Sequence, residues 1–196
     1  MEINYVTTNK GKVHSLQRHL DVYGIIVIQK AVDLPEPRSD DVQVIAENKA
    51  YTAFEIIKEP LVVLDAGFYI DSLNGFPRAF VNFALDTIGL DGILKLVEGK
   101  ERTSEFKHSL AYIDGELDEP IFFNSSVKGR IADNVRGKKQ DHLWSDLGLI
   151  FIPEHSEKTL GEMTPKEYAD FWEKYYANAP SCQREFGKWY SDKVRE

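Results

Sequence analysis

Tyr5-Val6-Thr7-Thr8-Asn9-Lys10-Gly11-Lys12 is the stretch from which the fold of this chain is read. Ile3, Tyr5 and Val6 form a short apolar β-type run, and small polar and basic residues follow at once. Val13, Leu16 and Leu20 then fall on one helical face. Strand, polar turn, helix is the layout in which backbone N–H groups at a helix start meet an anion. Thr7, Thr8 and Asn9 supply hydrogen-bonding groups, and Lys10 and Lys12 supply positive charge. Two readings fit these residues. One is a phosphate cradle; the other is an ordinary strand–turn–helix with capping residues.

Outward from this stretch, residues 24–29 read as a second strand, and the helix near 11–21 makes a βαβ-like start with a parallel strand pair. Residues 31–41 form an acidic loop containing proline. A helix is expected near 41–57, with Val42, Ile45, Ala46, Ala50, Ala53 and Ile57 at helical spacing. Residues 61–65 are apolar up to Asp65, as in a strand buried on both faces. Residues 86–98 look helical. Residues 106–113 and 120–131 read as a hairpin around Asp114-Gly115, and 149–152 as a last strand. From Pro165 to Val194 the pattern is helical and rich in aromatics, with Pro180 breaking or starting a helix. The expectation is one α/β domain over residues 1–196. A second lobe at about 77–160 would be inserted in it, with a groove for a small ligand between the lobes.

Composition narrows the partners. The chain has 196 residues, 42% hydrophobic and 12% aromatic, which suits a globular domain with a substantial core. Its net charge of −8 argues against non-specific nucleic-acid binding, which needs a basic face. A nucleotide remains compatible with a local basic pocket, and a negative protein handling polyphosphate points to a divalent cation. Cys182 is the only cysteine, so no internal disulfide forms and a reducing, cytoplasmic setting fits best. No signal-peptide pattern and no membrane-length apolar run is visible.

Asp65, read at a strand end beside Gly67, lies where open α/β folds place ligands. With Glu36 it could hold Mg²⁺ through oxygen ligands, and the metal would neutralise phosphate charge and orient water. The plainer alternative is a turn-capping Asp65 and a solvated Glu36. Lys49, on a helix between Asn48 and Ala50, reads equally as a surface lysine. Gly75-Phe76-Pro77 is a rigid turn. His14, His19, His108, His142 and His155 make no metal pattern and read as surface or packing residues. Nothing pairs Cys182 with any of them as a nucleophile.

Thr7-x-Asn9-x-x-Lys12 resembles the T-x-N-x-x-K signature that opens the inosine triphosphate pyrophosphatase family, enzymes that clear damaged purine nucleotides. Asp33-Leu34-Pro35-Glu36 resembles that family's acidic element. Val62-Val63-Leu64-Asp65-Ala66-Gly67-Phe68 and Leu73-Asn74-Gly75-Phe76-Pro77 resemble its acidic strand end and glycine–proline loop. Residues 88–96 and 150–154, then Thr159 and Glu162-Met163-Thr164, are similar to its archaeal branch. The likeness runs in order over roughly residues 2–167.

The resemblance implies an elongated mixed sheet with flanking helices and a substrate cleft between two lobes. It implies Mg²⁺-dependent hydrolysis of non-standard purine triphosphates to monophosphate and pyrophosphate, and a homodimer. It further implies that Asp65 and Lys49 are catalytic, that Thr7, Thr8, Asn9, Lys12 and Lys49 hold phosphates, and that Glu36 and Asp65 hold the metal. Trp144, Asp146, Ser181 and Arg184 would meet the base.

The departures cluster. Leu64 and Ala66 flank Asp65 where the family usually pairs acids, and Ser15 stands where it usually carries glutamate. Leu143-Trp144-Ser145-Asp146-Leu147-Gly148 replaces its aromatic–glycine–aromatic–aspartate–proline loop, and Ser181-Cys182-Gln183-Arg184 replaces its S-H-R. The phosphate half is kept and the base-reading half rewritten, which relaxes or redirects base selection. The competing reading is a non-catalytic nucleotide-binding protein on the same fold.

Overall fold

The structure is a computed structural model that describes residues 1–195. Its strands are β1 (Glu2–Val6), β2 (Ile26–Lys30), β3 (Leu61–Ile70), β4 (Pro77–Arg78), β5 (Thr103–Ile113), β6 (Ile121–Ile131) and β7 (Phe151–Pro153). Its helices are α1 (Lys10–Leu20), α2 (Val42–Ile57), α3 (Val81–Thr87), α4 (Gly89–Leu96), α5 (Pro165–Tyr176) and α6 (Cys182–Lys193). The strands form one seven-stranded sheet in the order β2-β1-β3-β5-β6-β7, with β4 paired to β3. β1 runs parallel to both β2 and β3, as βαβ crossovers require, while β4 runs antiparallel to β3. The α/β class expected from the sequence is the class found.

Several boundaries shift by a few residues from expectation, and two of the differences have a visible cause. The helix expected over 86–98 is two helices, because Gly89 takes a left-handed φ of 64° between α3 and α4. β3 does not stop at Asp65; it continues to Ile70. Gly67 permits this continuation: a Cβ there would fall 2.9 Å from the Arg78 carbonyl oxygen, so only glycine lets β4 lie this close.

The chain divides into two compact units. The first holds residues 1–66, 108–125 and the segment from Pro180 onward, and the second holds 67–107 and 126–179. The expected second lobe at 77–160 included the hairpin tip, which here belongs with the first unit. The first unit buries Val6, Ala46, Ala50, Ala53, Leu61, Val63, Ala111 and Ile113 together. Alanines on one face of α2 let it lie close to the sheet. Pro180 falls between helices and between units: α5 carries its aromatics into the second unit's core, while Phe186, Trp189 and Tyr190 of α6 pack on Tyr112 in the first. Ser181 starts α6 by accepting a hydrogen bond from the Arg184 N–H. At its other end Lys193 pairs with Asp114, and the Tyr190 hydroxyl donates to the Glu2 carbonyl at 3.0 Å.

Candidate active site

The site candidates on the first unit converge because three elements end or cross at one place. Asn9 caps α1, its side chain accepting from the Lys12 N–H at 3.1 Å, and Thr7 Oγ1 accepts from the Asn9 N–H at 3.1 Å. These polar groups set the entry angle of the helix, so the capping reading of the opening stretch holds as geometry. Thr8 is exposed at the bend. No acidic residue lies in the first turn of α1, which leaves the helix's positive end uncancelled. Lys12, one turn in, extends its ammonium to the Leu64 carbonyl at 3.0 Å. Leu64 stands where an acid is missing, and its main chain anchors Lys12. No sequence signal marks a carbonyl for such a task.

Asp65 lies within β3 rather than at its end, and is 8% exposed. Its Oδ1 accepts from the Ala66 N–H at 2.9 Å. Its Oδ2 lies 2.6 Å from Lys49 Nζ, and the same ammonium lies 2.6 Å from Glu36 Oε1. The spacing of α2 explains the convergence: Ala46, Ala50 and Ala53 face the core, so Lys49 projects from the edge of that face toward β3. The plainer reading of Lys49 as a solvated surface residue fails, since its side chain is 16% exposed and holds two carboxylates. Burial alone pulls the Lys49 ammonium down, but Asp65 and Glu36 together carry it above the usual lysine value. Lys12 goes the other way: burial pulls it down, and the Asp65 charge only partly offsets this. Two lysines thus flank one buried acid, and the acid engages Lys49 directly.

A Mg²⁺ ion fits this donor set. Two carboxylates already converge on a single compact cationic atom, and oxygen donors are what that ion takes.

Around these residues lie buried polar groups to which the sequence assigned no role in the site. The Tyr5 hydroxyl is fully buried without a hydrogen-bond partner, and burial, then Cys182 and Asp65, raise its pKa well above the usual tyrosine value. His108 on β5 is buried, and burial, then Lys12 and His19, push its imidazole down to about 3. Cys182 is buried with its thiol pushed up to about 11, mainly by burial, which disfavours the thiolate that a nucleophile needs.

The base candidates are not gathered in either unit. Ser181 and Arg184 belong to the first, where Ser181 is occupied as the α6 cap. Trp144 and Asp146 belong to the second. There, with Asn82, Asp86 and Lys139 among others, they line a recess of about 330 Å³. Asp146 is half-exposed and paired with Lys139 at 2.8 Å.

The fold matches solved structures over nearly the whole chain. The HAM1 protein of Coxiella burnetii superposes with a TM-score of 0.75 at 22% identity, covering 100% of this chain and 98% of that one. A nucleoside-triphosphatase, titled dITP/XTP pyrophosphatase, from Mycobacterium abscessus gives 0.66 at 22% identity, covering 90% and 96%. These likenesses define the fold. Sequence comparison goes further: the Ham1 family profile matches residues 3–178, and the chain belongs to that family. Among its relatives, the dITP/XTP pyrophosphatase of Methanopyrus kandleri is 34% identical over 195 residues, covering 99% of this chain and 98% of the relative. That of Thermococcus kodakarensis is 33% identical over 198 residues, with both chains fully covered. The resemblance read from the sequence is borne out.

Proposed function

We propose that this chain is a nucleoside triphosphate pyrophosphatase acting on non-standard purine nucleotides with Mg²⁺. The observation that carries the reading is the Glu36–Lys49–Asp65 convergence beside Lys12, in a chain whose full-length relatives are named dITP/XTP pyrophosphatases. Water attacks the α-phosphorus, the bond to the bridging oxygen breaks, and pyrophosphate leaves with the monophosphate as second product. Asp65 orients the water and accepts its proton. Lys12 and Lys49 hold phosphoryl oxygens as negative charge builds on them, where fixed cations in a partly dry site act most strongly. Thr7, Thr8 and Asn9 line the approach to the positive end of α1. Glu36 and Asp65 would hold the Mg²⁺, which when bound neutralises phosphate charge and lowers the pKa of water.

Trp144 offers an aromatic face for the base, and stacking tolerates any base. The family resemblance carries the homodimer into this reading, and Phe80, Phe83 and Ile88 are exposed apolar side chains on the second unit. A single buried cysteine suits a reducing, cytoplasmic setting. Among the described residues no helix is long and apolar enough to cross a membrane.

Pyrophosphate release is the test. With Mg²⁺, the purified protein is assayed on inosine, xanthosine, deoxyinosine and the ordinary triphosphates. Turnover of the first three supports the reading; binding with no pyrophosphate from any of them replaces it with nucleotide binding alone.

A further inference from the structure

Glu36 and Asp65 already share a cation supplied by the chain itself. Lys49 Nζ lies 2.6 Å from Glu36 Oε1 and 2.6 Å from Asp65 Oδ2, and Asp65 Oδ1 is taken by the Ala66 N–H at 2.9 Å. Each oxygen of the buried acid therefore already accepts one hydrogen bond. Among the described residues no group of three or more His, Cys, Asp or Glu gathers to hold a metal. A Mg²⁺-sized cation bridging the two carboxylates would have to stand where the ammonium stands.

We infer that Lys49 is the resident cation of the Glu36–Asp65 pair, and that a divalent cation enters only by displacing it. The inference rests on the pyrophosphatase reading for the carrier of that cation, a nucleoside triphosphate, but not for the displacement itself. In the nucleotide-free protein each metal–carboxylate contact is gained against a lost charge-assisted hydrogen bond, and the released ammonium has no new partner. Metal alone therefore binds weakly. A triphosphate changes both sides of the exchange. It brings its own oxygen ligands to the metal, completing a coordination that two carboxylates cannot, and it offers phosphoryl oxygens to the displaced ammonium. The two cations thus change places: the metal takes the carboxylates and Lys49 takes the phosphates. Glu36, with its side chain 63% exposed, can follow either cation, while Asp65 on β3, its side chain 11% exposed, stays fixed. The consequence is ordered loading, in which the metal arrives as the nucleotide chelate rather than ahead of it.

The test uses Mn²⁺ alone as probe, titrated into the nucleotide-free full chain and followed by the loss of free Mn²⁺ signal in electron paramagnetic resonance. Lys49→Met should bind Mn²⁺ at least about tenfold more tightly than wild type, the equivalent of one charge-assisted hydrogen bond no longer broken. Adding Glu36→Gln should abolish that gain. Equal affinity in wild type and Lys49→Met, or a gain that survives Glu36→Gln, overturns the inference. Since Lys49→Met leaves a buried carboxylate without its cation, Lys49→Gln serves as a second variant, neutral but still a donor, with the same expected gain. In thermal unfolding, Mn²⁺ should raise the Tm of the Lys49 variants and leave wild type unmoved at the same concentration; equal shifts overturn the inference. None of these readouts involves turnover, so failure to hydrolyse triphosphates would sink the functional reading and leave the displacement standing.

Discussion

Ser15 and Gln183, 168 residues apart, share a buried hydrogen bond in which Ser15 Oγ donates to Gln183 Oε1 at 3.3 Å. They join α1, which carries Lys12, to α6. Both stand at departures from the family pattern, Ser15 in place of glutamate and Gln183 within the rewritten S-H-R. In the fold they face each other as a neutral pair at a buried contact. The pair is not fully satisfied, since Gln183 Nε2 is buried without a partner. An unmet donor of this kind costs about 1–3 kcal/mol.

Restoring one charge without the other should therefore be costly. Ser15→Glu is expected to destabilise the protein by about 3 kcal/mol or more, because an uncompensated carboxylate is buried. Adding Gln183→Arg should recover at least half of that. Denaturant unfolding of the two singles and the double measures the coupling, and strictly additive effects would show that the two positions do not communicate.

Asp65→Asn should abolish triphosphate hydrolysis while the fold persists. The change is nearly isosteric, but it removes the charge that Lys49 engages at 2.6 Å and that a metal or water would need. Circular dichroism checks the fold and pyrophosphate release checks turnover. A kcat within about threefold of wild type would remove Asp65 from the chemistry, since a lost transition-state interaction must appear in kcat.

Lys12→Ala and Lys49→Ala should each weaken triphosphate binding by about 1.5–3 kcal/mol, the usual worth of a charge-assisted contact. The nucleoside should be much less affected. Calorimetry with inosine and a non-hydrolysable inosine triphosphate analogue compares the two. Equal losses for both ligands would place these lysines outside the phosphate site.

His108 gives the protein a pH-sensitive stability. Burial, then the charges of Lys12 and His19, hold its folded-state pKa at about 3, while an unfolded histidine titrates near 6.5. Between these values the unfolded chain binds the extra proton, so stability falls as pH drops below about 6.5 and levels off near about 3. The slope contributed by His108 approaches about 1.4 kcal/mol per pH unit inside that window. Urea midpoints measured from pH 7 to 4 should fall, and His108→Gln should flatten the fall whatever its effect at pH 7. An unchanged slope would mean that His108 takes up its proton in the folded protein.

The legible and illegible parts of this chain divide along physical lines. Periodicity exposed β1, α1, α2 and the parallel start, because burial on one face imposes a repeat that a single sequence displays. The α3–α4 break was missed because the apolar spacing carries across it; only the positive φ of Gly89 interrupts the helix. The run of β3 past Asp65 was missed because Gly67 reads as a terminator, when its lack of a side chain is what lets β4 pair there. At the site, side chains with a charge were found and main-chain or neutral partners were not. Lys12, Glu36, Lys49 and Asp65 were named from the sequence, while the Leu64 carbonyl, Tyr5, His108 and the Ser15–Gln183 bond required the fold.

Base selectivity should be weaker than that of a typical inosine triphosphate pyrophosphatase. Rejecting an amino purine in favour of a keto purine depends on buried donors placed against the keto oxygen, and a site lacking them discriminates by only about a hundredfold. The residues expected to meet the base are largely engaged elsewhere in this chain. Asp146 is held by Lys139 at 2.8 Å, and Ser181 is spent on capping α6. Gln183 holds Ser15 through its Oε1. Trp144 lines a recess of about 330 Å³ and can stack on a ring, but stacking is blind to the keto group. The preference for inosine over adenosine triphosphate, as a ratio of kcat/KM with Mg²⁺, is therefore expected to lie below about a hundredfold. A ratio far above that would mean that buried donors have been rebuilt, and the unsatisfied amide of Gln183 is the first to examine. In that event Gln183→Leu, which removes the donor at similar volume, should collapse the preference while leaving adenosine triphosphate turnover within about threefold.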